Sequence, residues 1–177
     1  MRLAVCVTAL ALVCASPALA AMSLTSPDLT PGGAMPVQHI YPRCGGQNVS
    51  PELAWSGAPA GTRSLALTMI DMDVKPALWS HWIVVDLPPT AAGLPRGVKA
   101  LPAPAHAIVS NFGEAAYDGP CPPPGSGVHH YQFTIWAMKA PSVSLPADAK
   151  APEVIATLTA GSLAKASLTV SVAAKAR

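Results

Sequence analysis

The stretch Gly119-Pro120-Cys121-Pro122-Pro123-Pro124-Gly125-Ser126-Gly127, which runs straight into Val128 to Met138, constrains the fold of this chain more than any other. Four prolines fix φ at about −65° and withhold backbone donors, and three glycines allow φ > 0, so neither helix nor sheet ladder can form before Val128. A stiff loop therefore delivers the chain into a strand. From there the two-residue period puts Val128, His130, Gln132, Thr134 and Trp136 on one face and His129, Tyr131, Phe133, Ile135 and Ala137 on the other. An imidazole and a phenol side by side at the mouth of a strand suit a ligand cradle, because preset geometry lowers the ordering cost of binding. Taken alone, the same stretch is equally well a turn followed by a packed polar pair.

The first twenty residues read as an export signal. Met1-Arg2 is a short positive start, Leu3 to Cys14 is apolar, and Ala18-Leu19-Ala20 is an A-x-A cleavage site, so the mature chain is expected to begin near Ala21 and to form one domain over 21–177. No later stretch approaches the ~20 apolar residues of a membrane span. The expected compartment is periplasmic or secreted. Cys6 and Cys14 leave with the signal, and Cys44 and Cys121 are then expected to pair in an oxidising compartment; two buried free thiols remain the alternative on sequence alone. Without Arg2, ten basic and nine acidic residues leave a charge of +1 with histidines neutral, and no charge run or basic amphipathic segment points to nucleic acid or a membrane surface.

Strands are predicted at Met22 to Pro27, at Pro36 to Ile40, at Glu52 to Trp55 and at Ser64 to Asp71, the last apolar on both faces as a central strand should be. Trp79 to Leu87 is another apolar strand, stopped by Pro88-Pro89, with His81 at its entry on the face of Ile83 and Val85. Ala91 to Ala107 carries no clear signal. Ala151 to Leu158, with Pro152 in the first turn, predicts a short helix ending near Gly161, and Leu168 to Val172 alternates as a last strand. Asp71 and Asp73, at the end of the central strand, project to one side if strand geometry persists across them; on local evidence the commoner reading is two solvated loop carboxylates.

Together, Asn48-Val49-Ser50-Pro51-Glu52-Leu53-Ala54-Trp55, the Asp71-x-Asp73 pair, His81-Trp82-Ile83-Val84-Val85-Asp86-Leu87-Pro88, and Gly119-Pro120-Cys121-Pro122-Pro123 through His129-x-Tyr131 resemble the phosphatidylethanolamine-binding proteins, most closely their bacterial Raf-kinase-inhibitor-like (YbhB/YbcL-like) branch. The resemblance covers nearly the whole mature chain. It implies a mainly β fold of two antiparallel sheets with a few short peripheral helices and a small anion-binding pocket at one end. The pocket roles would fall on Asp71, Asp73, His81, Pro122, Pro123, His129 and Tyr131. The chain departs from the family pattern at Met72, where a proline is usual, at Pro76, one position late, and at His130, where arginine is common.

These features point to a non-catalytic binding protein for a small anionic ligand or phospholipid headgroup, such as phosphate or a phosphoethanolamine-like group. Histidine N–H and the Tyr131 hydroxyl would donate to the anion, while the aspartates would fix the histidine tautomers or meet an attached ammonium, so binding is expected to strengthen as pH falls from about 8 to about 6. The alternative is an extracytoplasmic protein-interaction protein, an inhibitor of a protease or kinase type, which the resemblance also implies. Asp71, Asp73, His81 and His129 have zinc-ligand chemistry but no H-E-x-x-H-type spacing, and the sequence shows no nucleophile beside a general base. No metal, cofactor or catalytic residue is assigned.

Overall fold

The apolar run Ser64–Asp71 is buried along its whole length and forms β3, the middle strand of a five-stranded antiparallel sheet. The structure is a computed structural model and describes residues 21–146 and 149–176; the expected export signal lies outside the described residues. In chain order the elements are β1 (Ser23–Thr25), β2 (Leu53–Ser56), β3, β4 (Trp79–Leu87), β5 (Gly93–Leu94), β6 (His106–Ala107), β7 (Val128–Met138), α1 (Ala151–Gly161) and β8 (Ser162–Ala173). The large sheet has the order β6-β4-β3-β7-β8 and the small one β1-β2-β5, all pairs antiparallel.

Alternation along β3 and β7 builds two cores on opposite faces of the large sheet. Leu65, Leu67 and Met69 of β3 with Tyr131, Phe133 and Ile135 of β7 pack toward the small sheet and its Leu53 and Trp55. Ala66, Trp136 and Met138 face the other way, onto Val154 and Leu158 of α1. The i, i+4 pair on α1 is thus the stripe by which an otherwise short helix is held.

Two expectations are corrected. Residues Val37–His39 form a 3-10 turn, not a strand: the His39 and Ile40 amides donate to Pro36 and Val37 carbonyls, and the His39 ring bonds the Val49 carbonyl at 2.6 Å. Local bonds satisfied this backbone, and burial followed the histidine at 0% exposure while Val37 stayed 60% exposed. The last strand begins at Ser162, directly after the helix, six residues earlier than predicted; its first half pairs with β7 but alternates half-buried with exposed, so no apolar periodicity announces it. Among the described residues the peripheral helices are α1 and the 3-10 turns Val37–His39 and Pro42–Cys44.

Candidate functional site

Since β4 and β7 both run antiparallel to β3, they enter the sheet where β3 leaves it. Asp71, the last residue of β3, lies opposite Trp79 on one side and Tyr131 on the other. His81 reaches the same place by a β-bulge: Met69 faces Trp82 and Ile70 faces Ser80, so His81 is the extra residue on β4. The bulge reverses the predicted face. Ile83 and Val85 pack toward α1, whereas the His81 ring meets Tyr131 edge-on at 5.0 Å, on the opposite side of the sheet.

The facing wall comes from irregular segments fixed by side chains. Asn48 accepts from the Gly119 amide at 2.7 Å and donates to the Tyr117 carbonyl at 3.2 Å, which pins the chain around Asp118. Cys44 and Cys121 form a disulfide with a Cα–Cα distance of 5.4 Å, so the expected pairing holds and joins the 3-10 turn Pro42–Cys44 to the proline loop. This bond carries Tyr41 and Arg43 to the mouth of the site.

Between these walls lies a cavity of about 540 Å³. Asp71, His81, Pro122, Pro123 and Tyr131 line it, as do Tyr41, Arg43, Trp79, Asn111 and Phe112, which sequence reasoning did not identify. Phe112 is the hub of an aromatic side: its ring lies 5.2 Å from Tyr41, 6.3 Å from Trp79 and 4.9 Å from His81. Asn111 accepts from the amide and hydroxyl of Ser80 through Oδ1, at 2.9 and 2.7 Å, which fixes the carboxamide at the entry of β4.

Of the two histidines, His129 takes its tautomer from Asp71 as expected and His81 does not. His81 Nδ1 donates to the Asp118 backbone carbonyl at 2.9 Å, so a main-chain oxygen, not an aspartate side chain, sets its tautomer and the neutral ring presents Nε2 as an acceptor. Burial lowers its pKa to about 4, outweighing the upward pull of the Asp118 and Gly119 backbone and of Asp71. The ring is neutral throughout pH 6 to 8, and the expected gain in anion binding over that range loses its basis at this residue. His129 lies outside the cavity lining: its Nδ1 donates to Asp71 Oδ2 at 2.7 Å and its Nε2 meets Ser126 Oγ at 2.9 Å. Asp73 is also turned away. Its carboxylate accepts from the backbone N–H and ring of His130, at 2.7 and 2.9 Å, while its own amide donates to Asp71 Oδ1 at 2.9 Å. Burial works against its ionisation, but the His130 hydrogen bonds prevail and hold its pKa below the ordinary value. Among the described residues no three His, Cys, Asp or Glu side chains converge to hold a metal ion.

Two groups at the site are left without partners among the described residues. The Tyr131 hydroxyl is buried beside the Asp71 carboxylate with no partner in hydrogen-bonding geometry among the described residues, and burial, then Asp71, raise the phenol well above its usual pKa. An unsatisfied buried hydroxyl costs about 1–3 kcal/mol unless something supplied from outside completes it. Arg43, exposed at the rim, makes no ion pair or hydrogen bond among the described residues. The site thus combines a cationic rim, an aromatic side and an acceptor-rich floor.

Comparison with known proteins accounts for this architecture. Residues 25–173 match the sequence profile of the phosphatidylethanolamine-binding protein family. The chain is 36% identical over 177 residues to the UPF0098 protein YbcL of Escherichia coli, covering 96% of this chain and 97% of that one. It is 37% identical over 155 residues to the E. coli UPF0098 protein YbhB, covering 84% and 98%. The crystal structure of E. coli YbcL, described as a new member of the mammalian PEBP family, superposes with a TM-score of 0.80 at 34% identity, covering 89% of this chain and all of that one (100%). A putative PEBP homolog from Chlamydia trachomatis, CT736, gives 0.71 at 30% identity, covering 86% and 97%. Members of the family are in general non-catalytic ligand-binding proteins, and with its matching fold and profile the chain belongs to the phosphatidylethanolamine-binding protein family, in its YbhB/YbcL-like branch.

Proposed function

We propose that the protein is an extracytoplasmic receptor for a small ligand carrying a phosphate-type anion, best satisfied by a zwitterionic headgroup such as phosphoethanolamine. The observation that carries this reading is the pairing of opposite demands in one cavity, an unpartnered guanidinium at the rim and an acceptor-rich floor. Arg43 takes the anion, since a guanidinium forks onto phosphate or carboxylate oxygens. Asp71 and the His81 Nε2 lone pair repel an anion at the floor and receive an ammonium, against aromatic faces that favour a cation. The Tyr131 hydroxyl, able to donate and accept, completes its bonding to the ligand. The N-terminal sequence and the disulfide support an oxidising compartment.

Calorimetric titration with phosphoethanolamine, with sulfate and with vesicles containing phosphatidylethanolamine tests the reading and separates a free solute from a lipid headgroup. The expected dissociation constant for phosphoethanolamine lies between ~10 μM and ~1 mM, weakened about tenfold in Arg43→Ala. Sulfate, lacking the ammonium, should bind more weakly. Equal affinity in wild type and Arg43→Ala, or tighter binding of sulfate than of phosphoethanolamine, would sink it.

A further inference from the structure

The sequence shows no nucleophile beside a base, yet the fold makes one. Ser126 Oγ lies 2.9 Å from His129 Nε2, and His129 Nδ1 lies 2.7 Å from Asp71 Oδ2. The order is hydroxyl, imidazole, carboxylate, at the separations that mark an activated nucleophile on unrelated folds. Asp71 and His129 are buried, while Ser126 is exposed on the proline loop, outside the cavity lining. We propose that Ser126 is an activated nucleophile, a site of covalent modification by electrophilic acyl and phosphonyl esters, because the Asp71–His129–Ser126 chain places a fixed base against its hydroxyl.

The hydroxyl has a single proton and two acceptors within reach, the Pro123 carbonyl at 2.7 Å and His129 Nε2. Rotation about Cβ–Oγ moves the proton between them without moving a heavy atom. When it points to Nε2, the imidazole is neutral, its Nδ1–H is held by Asp71, and it can take the proton as Oγ attacks. With a fluorophosphonate, the Oγ–P bond forms, the P–F bond breaks, fluoride leaves, and the proton passes through His129 to solvent. An acyl ester follows the same course, with its alkoxide leaving group taking the proton. Space for the incoming group is open on the next residue: a β-carbon added to Gly127, at φ +91°, would meet nothing within 4 Å. The step is stoichiometric in protein and asks for no turnover, in keeping with a non-catalytic family.

The test treats the intact mature chain with an alkyl fluorophosphonate and maps the adduct by peptide mass spectrometry. One adduct on Ser126 is expected, absent in Ser126→Ala, and formed about 100-fold more slowly in His129→Gln, the lower end of what a positioned base contributes. Labelling should also be faster in the native chain than in the same chain unfolded in urea, a comparison that stands if the His129 variant does not fold. No adduct, adducts spread over other serines, or equal rates in native and unfolded protein would overturn the proposal.

Discussion

The Asp71 carboxylate and the His129 imidazole, 2.7 Å apart and almost wholly buried, tie the end of β3 to the start of β7. The bond fixes His129 behind the cavity floor and leaves Asp71 facing the cavity. His129 therefore acts on the pocket through Asp71, as a positioning residue.

Removing that partner should be felt in stability before it is felt in binding. His129→Ala leaves the buried Asp71 carboxylate without its imidazole donor, at a cost of roughly 1.5–3 kcal/mol, the range for a hydrogen bond to a charged group. Ser126→Ala, at an exposed loop position, should stay within about 0.5 kcal/mol of wild type. Urea unfolding with unchanged m-values checks both; a stable His129→Ala would mean that the pair contributes nothing net.

His81 should make the protein acid-sensitive. Its folded pKa of about 4 lies below its ordinary value of 6.5, so between those values the unfolded chain binds a proton that the native one refuses, and stability falls as pH drops. The full span is worth about 3 kcal/mol, lost between pH ~6.5 and ~4 and flat below. His81→Asn, which keeps a donor for the Asp118 carbonyl but does not titrate, should flatten this part of the stability curve relative to wild type. Parallel wild-type and variant curves from urea titrations at pH 7 and 4.5 would show that His81 is not buried neutral.

The strands that build the site were legible because their signals are local. Ser64 to Asp71 and Val128 to Met138 carry their own periodicity, and the prolines before Val128 mark its start. The cavity was less legible because its lining depends on where partners fall. Asp73 has the same chemistry as Asp71, but its carboxylate accepts from the backbone N–H and ring of His130 and does not line the pocket. The face of His81 depends on a bulge that alternation cannot show. Arg43 carries no motif, although its neighbour Cys44 was the clue: a disulfide expected to reach the proline loop brings the adjacent residue to the same rim.

The Cys44–Cys121 disulfide spans 77 residues of chain and joins the rim that bears Arg43 to the loop that bears Pro122 and Pro123. By the chain-entropy account its closure is worth roughly 4 kcal/mol. The Cys44→Ser, Cys121→Ser double variant should unfold at correspondingly lower urea concentration and bind phosphoethanolamine more weakly, since rim and loop are no longer held together. Thiol titration of denatured, unreduced protein comprising residues 21–177 should find about zero free cysteines, and finding two would rule the bond out.

Gly119→Ala should damage the site from behind its wall. A β-carbon on Gly119 would collide with the His39 carbonyl oxygen and lie 2.7 Å from the Ile40 carbonyl carbon, backbone atoms that cannot swing aside. The Gly119 amide is meanwhile held by Asn48 at 2.7 Å, and the preceding carbonyl, that of Asp118, fixes the His81 tautomer. Relief of the clash must move the chain that carries this carbonyl, so the substitution should cost on the order of 1–3 kcal/mol, the scale of forced overpacking. It should also loosen the Nδ1–H tautomer of His81, which long-range nitrogen–proton NMR reads directly from the two ring nitrogens. Asn48→Ala, which removes the staple but adds no bulk, should shift the same signals with a smaller stability loss. Wild-type stability together with an unchanged His81 tautomer in Gly119→Ala would show that the wall yields without disturbing the floor.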